Sequence, residues 1–189
     1  MKEKLLLVGA GGFGRVVLEH AQRVFNCAFV DDGCEIGTII NGAEVVGKIS
    51  DLATLFGEYQ KLVVVIGNNA LREKVYKEAA AIGYDFPNII ANSAYISPNA
   101  TVGVGCIILN NAVVQTNAKI GNGVILNSGV EIHVDSVVED YVLIYTNSVV
   151  RTYAHVGRRV RIGSTLTIGN NVTVPDDAVV KDGCSLSVK

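Results

Sequence analysis

The sequence predicts two units of different class: a small α/β domain over residues 1–90, then an all-β prism of about five coils over 91–189. Three observations predict this. From Ile96 to Leu186 every sixth residue is Ile, Val or Leu, sixteen positions without a skip. Two residues before each lies a second column, from Ala94 and Ala100 to Ala178 and Cys184, small or Val throughout except for Leu166. Ahead of the repeat, Gly9, Gly11 and Gly14 follow an apolar run.

A period of six fits neither the 3.6 of a helix nor plain strand alternation. It suits a chain wound as a triangular prism, with one hexad per face and eighteen residues per coil, stacked at about 4.8 Å. The large aliphatic points inward and the small residue lets the backbone turn. Gly103, Gly121, Gly157, Gly163 and Gly169 follow inward aliphatics and are read as corner residues at positive φ. The pattern resembles the hexapeptide-repeat, left-handed parallel β-helix family. The left hand is implied by that resemblance alone.

In chain order, Lys4–Val8 reads as a buried strand. Gly9-Ala10-Gly11-Gly12-Phe13-Gly14 leads into a helix with Val16, Val17, Ala21, Val24 and Phe25 inward. Ala28–Val30 is a second strand ending at Asp31-Asp32, so the stretch matches G-x-G-x-x-G with a distal acid, a Rossmann-like fingerprint. Glycines let a ligand approach the backbone, and a helix N-terminus offers N–H groups to phosphate. The same stretch also fits a tight strand-to-helix turn without a ligand. Residues 36–60 carry less information, with Ser50 read as the cap of a short helix over 51–56. Leu62–Ile66 is a third strand, ending in Gly67-Asn68-Asn69; Leu71, Val75, Ala79 and Ile82 are the inward side of the next helix. Arg72 in its first turn is placed to meet a phosphate or stands as an exposed helical arginine. With some four strands, the unit has half of a dinucleotide fold, which favours one nucleotide over NAD. Ile89-Ile90 reads as a last strand leading into the first coil.

A formal charge of −2 supplies no basic field for nucleic acid or an anionic membrane. No apolar run approaches the ~18 residues of a membrane span. No signal peptide is read in the opening residues. Cys27, Cys34, Cys106 and Cys184 form no C-x-x-C pair and read as reduced thiols, so a cytoplasmic protein without metal is expected.

VGAGGFGRVV, FVDDG and VIGNNALREK, followed by the hexad prism, resemble the NeuD/PglD-like family of sugar acyltransferases over nearly the whole chain. The resemblance implies that the first unit holds a nucleotide-linked sugar, often a 4-amino sugar. It implies acetyl-CoA along the prism between subunits of a homotrimer, and a histidine as general base on an amine or hydroxyl. Carried over by position, ligand contacts fall on Gly9, Gly11, Gly12, Phe13, Asp31, Asp32, Asn68 and Arg72. Phe13 can only pack where relatives often hydrogen-bond. The family's base usually stands two residues after an inward aliphatic, as in I-x-H-D. Here Ile132-His133-Val134-Asp135 puts Val134 at that place, His133 one residue early, and Asp135 where the orienting acid is expected. A further histidine common in the family is replaced by Leu143, and the Gly-x-Pro-Ala-Lys segment that commonly lies against CoA does not occur.

His133 and Asp135 are therefore the candidate catalytic residues. Residue 133 points outward, and Arg151, eighteen residues on, stacks above it and would favour a neutral base. The other reading is an exposed, non-catalytic histidine. His155, read as lying on the same face one coil up, is the alternative base; His20 reads as surface. Two functions follow: acyl transfer from acyl-CoA to a nucleotide-linked sugar, or a sugar-nucleotide-binding scaffold that has lost transfer. Outward Leu109, Val134, Leu143, Tyr145 and Val149 form an apolar stripe that predicts an oligomer interface.

Overall fold

The computed structural model describes residues 2–187. Val188 and Lys189, at the end of the C-terminal stretch weighed above, lie outside the described residues. The chain forms two compact units, Met1–Ile89 and Ile90–Lys189.

The first unit is built on β1 (Lys4–Val8), α1 (Gly12–Ala21), β2 (Asn26–Val30), β3 (Ile39–Ile40), β4 (Ala43–Gly47), α2 (Leu52–Leu55), β5 (Lys61–Val64) and α3 (Asn69–Ile82). Its sheet order is β3-β4-β2-β1-β5. β1, β2, β4 and β5 run parallel, and β3 is antiparallel to β4. The chain steps outward from β1 through β2 to β4, then returns to the other side of β1 as β5. That reversal makes the carboxyl ends of β1 and β5 the topological switch point, the place where open α/β sheets bind ligands.

Strand β4 and its hairpin occupy the stretch that sequence patterning left unread. Ser50 is not the helix cap expected. The Asp51 carboxylate accepts the Lys48 N–H at 2.8 Å, whereas Ser50 Oγ reaches only Asp51 Oδ1. Both long helices are rotated from the predicted phase. In α1 the buried residues are Gly14, Val17, Leu18 and Ala21, with Val16 and Val24 exposed. In α3 Leu71 is 40% exposed while Arg72, Val75, Tyr76 and Ala79 are buried. α3 ends on Gly83 at φ 112, a left-handed position glycine takes without strain. On β5, Tyr76 Oη accepts the Val64 N–H at 3.0 Å, satisfying a backbone group at the sheet edge.

The second unit is a parallel β-helix of two-residue strands in three stacks of six, five and six. Each residue pairs with those eighteen positions away, as Val113 does with Tyr95 and Glu131. Both sequence columns line one continuous core, except at Cys184, which ends the small column exposed. The small column is thus core and not corner. Its two buried serines are satisfied: Ser136 Oγ donates to His133 O at 2.5 Å and Ser148 Oγ to Gly163 O at 2.6 Å.

The corners lie elsewhere than predicted. Every sixth residue from Gly105 to Gly183, three after an inward aliphatic, has positive φ; most are Asn, Asp or Gly. Gly103, Gly121, Gly157 and Gly163 are glycine for another reason. A Cβ on Gly103 would lie 2.6 Å from Asn122 Oδ1, and one on Gly121 2.5 Å from Asp140 Oδ1. Those oxygens accept N–H groups of the coil beneath, Val104 at 3.0 Å and Asn122 at 2.7 Å. The missing side chains make room for a ladder of Asx caps between coils.

Part of the expected apolar stripe is already covered within the chain. Leu109 and Leu143 are each 3% exposed, and Ile107 and Ile125 beside them are buried. Val134, Tyr145 and Val149 remain half-buried.

Candidate functional site

In the first unit the carboxyl ends of β1 and β5 carry two glycine loops. Gly9 stands at φ 117, and its N–H donates to Val30 O at 2.8 Å. Gly14 lies directly under it: a Cβ there would collide with the Gly9 carbonyl oxygen. These two glycines are demanded by the strand-to-helix turn itself. Gly11, Gly12 and Gly67 are not. A Cβ on Gly11 or Gly67 would meet nothing within 4 Å, and one on Gly12 only Arg15 Nη2 at 3.9 Å. None of the three has a positive φ. The chain leaves open space at all three, at the one end of the sheet where a ligand is expected.

Asp31, at the end of β2, faces this loop. Its Oδ2 accepts the Ala10 N–H and its Oδ1 the Gly33 N–H, both at 2.7 Å. Burial pushes its carboxyl up, but these donors, together with Cys34, outweigh that and hold it below the ordinary carboxylate value. Asp31 therefore stays ionised and ties the glycine loop to the loop after β2. Four donors thus converge on this carboxylate: the Ala10, Gly33 and Cys34 N–H groups and the Cys34 thiol. Asp32 accepts the Ile49 N–H at 2.9 Å, and Lys48 Nζ donates to Asp32 O and Cys34 O. Lys48 thus fixes the 31–34 loop, and no local motif in the sequence points to it. Burial and the Asp31 charge push the Cys34 thiol up, so it remains protonated. Phe13, in the first turn of α1, is half-buried.

On the other loop, Asn68 is spent as the α3 cap, its Oδ1 accepting the Leu71 N–H at 3.0 Å. Arg72 fits neither reading made from the sequence. It is 0% exposed, with Nη1 donating to Ile66 O and to Asn69 Oδ1, both at 2.9 Å. It lies inside the fold, not on its surface.

In the second unit His133 follows the two-residue strand Glu131–Ile132 and points outward, its side chain 25% exposed. Its Nε2 lies 3.2 Å from Glu131 Oε2. The acid beside the imidazole is therefore Glu131, two residues earlier, and not Asp135. Asp135 occupies a corner at φ 58, which turns the chain between the two residues. Strand alternation was the available signal, since residues 131 and 133 share a side. Main-chain pairing stacks Arg151 over His133, with the His133 N–H bonded to Val150 O at 2.8 Å. His155 lies on a different face from His133, in the five-stranded stack, with Nε2 3.2 Å from Glu139 Oε1. His20 is half-buried in the last turn of α1, not fully on the surface.

A separate cavity of about 580 Å³ opens on the later coils, lined by Tyr145, Arg161, Ser164, Val179 and Lys181 among others. Arg161 packs over the Tyr145 ring at 5.1 Å. Among the described residues no group of three or more His, Cys, Asp or Glu is placed to hold a metal ion. None of their helices is long and apolar enough to cross a membrane.

A Rossmann-like half-fold joined to a left-handed parallel β-helix defines the class of hexapeptide-repeat transferases. Comparison with known proteins narrows it. The family model for the PglD N-terminal domain matches residues 4–79, and that for the GMPPB C-terminal domain matches 90–189. The acetyltransferase domain of PglB from Neisseria gonorrhoeae FA1090 is 28% identical, covering 100% of this chain and 93% of that one, with a TM-score of 0.93. A His-to-Ala mutant of GDP-perosamine N-acetyl transferase from Caulobacter crescentus, in complex with CoA and GDP-perosamine, is 26% identical over 97% of this chain and 88% of that one (TM-score 0.92). WeeI from Acinetobacter baumannii AYE, at 21% identity, 99% and 97% coverage and a TM-score of 0.70, shares the fold. An uncharacterized protein of Acanthamoeba polyphaga mimivirus is 31% identical over 108 residues; the match covers 52% of this chain and spans 20% of that relative's length. The chain belongs to the NeuD/PglD-like family of sugar acyltransferases.

Proposed function

We propose that this chain transfers an acetyl group from acetyl-CoA to an amine or hydroxyl of a nucleotide-linked sugar, with His133 as general base. The observation that carries the reading is the His133–Glu131 pair on an outward face of the β-helix. Glu131 holds the imidazole with its proton on Nε2, which leaves the Nδ1 lone pair to take the acceptor's proton. The acceptor nitrogen or oxygen attacks the thioester carbonyl carbon directly. The tetrahedral intermediate collapses, the C–S bond breaks, and the proton held by His133 passes to the leaving thiolate of CoA. A backbone N–H at a coil corner of an adjacent subunit stabilises the oxyanion.

The glycine loops of the first unit, with their open space at Gly11, Gly12 and Gly67, suit the nucleotide part of the acceptor. Asp31 and Asp32 flank that space, and Gly9 shapes the turn. The cationic Arg161 and Lys181 in the β-helix cavity suit the phosphates of CoA. Support from relatives comes from the Caulobacter crescentus structure with CoA and GDP-perosamine and from the gonococcal domain with acetyl coenzyme A. The direct test follows free thiol release from acetyl-CoA with a panel of UDP- and GDP-linked amino sugars. Thiol release that requires an acceptor is the expected result. The second reading, a sugar-nucleotide-binding scaffold without transfer, is favoured by the placement of Asp135 away from the imidazole. It predicts nucleotide-induced thermal stabilisation with no thiol from any acceptor.

The half-buried Val134, Tyr145 and Val149 and the exposed Val179 support a homotrimer. Sedimentation equilibrium is expected to give three times the chain mass; a monodisperse monomer would remove the trimer and the oxyanion donor assigned to it.

A further inference from the structure

We infer that Arg72 is a positioning residue for the ligand loop of the first unit, acting from inside the fold through Ile66 and Asn69. The inference rests on the nucleotide-sugar reading of that unit. It starts from the place of Arg72 in α3. Asn69, Arg72, Glu73, Val75, Tyr76 and Ala79 form the buried side of the helix, so position 72 belongs to the core by phase. A leucine there would satisfy the packing without desolvating a charge, and swapping buried charge for well-packed apolar side chains is often neutral or stabilising. Core packing alone therefore does not account for a fully buried arginine.

What the arginine supplies is geometry. Its Nη1 donates to Ile66 O and to Asn69 Oδ1 at the same distance, 2.9 Å. Ile66 precedes Gly67, and Asn69 is the first residue of α3. One nitrogen thus ties together both ends of the short turn that carries Gly67 and Asn68. The Asn68 side-chain oxygen is committed to the Leu71 N–H, so the turn is fixed at three points. Gly67, between them, faces space in which a Cβ would meet nothing within 4 Å. The guanidinium is planar and rigid, and its donors have fixed directions. A lysine can satisfy one acceptor from this depth but does not hold the same fork. Arg72 thereby sets where the Gly67-Asn68 backbone stands without itself touching a ligand.

The test uses the full chain and two variants, Arg72→Lys and Asn69→Ala, which cut the tie from opposite ends. Titration calorimetry with UDP- and GDP-sugars is run beside titration with acetyl-CoA, and steady-state kinetics supply KM and kcat. Misplacement of a contact by about 1 Å costs up to about 100-fold. Nucleotide-sugar affinity is therefore expected to fall about 10–100-fold in both variants, with KM for that substrate rising in step. Acetyl-CoA affinity and kcat at saturation stay within about threefold, and amide exchange quickens at residues 67–69. A parallel fall in acetyl-CoA affinity and kcat would assign Arg72 a merely structural role and overturn the inference. So would unchanged nucleotide-sugar affinity in both variants. A wild-type chain that binds no UDP- or GDP-sugar overturns the nucleotide reading itself, and this inference with it.

Discussion

His133→Ala is expected to lower kcat by about 10²–10⁴-fold while leaving acetyl-CoA affinity intact, the usual loss on removing a general base. That corresponds to about 3–5 kcal/mol of transition-state stabilisation. The variant should fold, because the ring is not part of the core. His133 contributes its N–H to Val150 O and its carbonyl to Ser136 Oγ, and alanine keeps both. Glu131→Gln retains an acceptor near Nε2 but removes the charge that stabilises the imidazolium, so a smaller loss is expected. Asp135→Asn should leave kcat unchanged, since Asp135 turns a corner and the acid beside the imidazole is Glu131. The three variants together separate this geometry from the family's usual spacing. A loss in Asp135→Asn with none in Glu131→Gln would show that the pairing at 3.2 Å is not the one used in turnover. Full activity in His133→Ala would move the base to His155, whose own carboxylate partner, Glu139, lies 3.2 Å away on another face.

The hexad repeat made the β-helix legible because each coil writes the same physical demand into every sixth residue. A register error would then show at once. The corners are harder to read, for a related reason. Glycine suits two demands, positive φ and the absence of a Cβ, and sequence does not say which applies. At Gly103 and Gly121 it is the second, and the positive φ falls on Asn111, Asn117 and their equivalents. The His133–Glu131 pair is half legible: the family's spacing points downstream to Asp135, whereas simple alternation places Glu131 on the same side as His133. Arg72 was not legible as a buried residue. Reading a charged side chain as exposed is the right default, and it shifted the whole α3 phase onto Leu71. Long-range ties such as Lys48 to the 31–34 loop leave no local pattern at all.

Gly12→Leu and Gly14→Ala should fail in opposite ways, although only Phe13 separates them. At Gly14 an added Cβ strikes the Gly9 carbonyl oxygen, a backbone atom that cannot move without disturbing β1. Overpacking of this kind costs about 1–3 kcal/mol or more. Gly14→Ala should therefore lower the unfolding midpoint of the first unit by several degrees and weaken nucleotide binding only as a consequence. Gly12 is exposed at the start of α1, and a Cβ there meets only the flexible end of Arg15 at 3.9 Å. Leucine is a better helix former than glycine by up to about 1 kcal/mol. Stability should be unchanged or slightly raised, while a side chain of that size fills the space through which a phosphate would approach the helix N-terminus. Nucleotide-sugar affinity is expected to fall by at least about 100-fold, the scale of a misplaced or blocked contact. Chemical denaturation and ligand titration on the same samples read both effects. Normal nucleotide-sugar binding by Gly12→Leu would take the glycine loop out of the site and leave its glycines to the turn alone. Loss of binding with a raised midpoint has no folding explanation, and would mark the open space at Gly12 as space kept for a ligand.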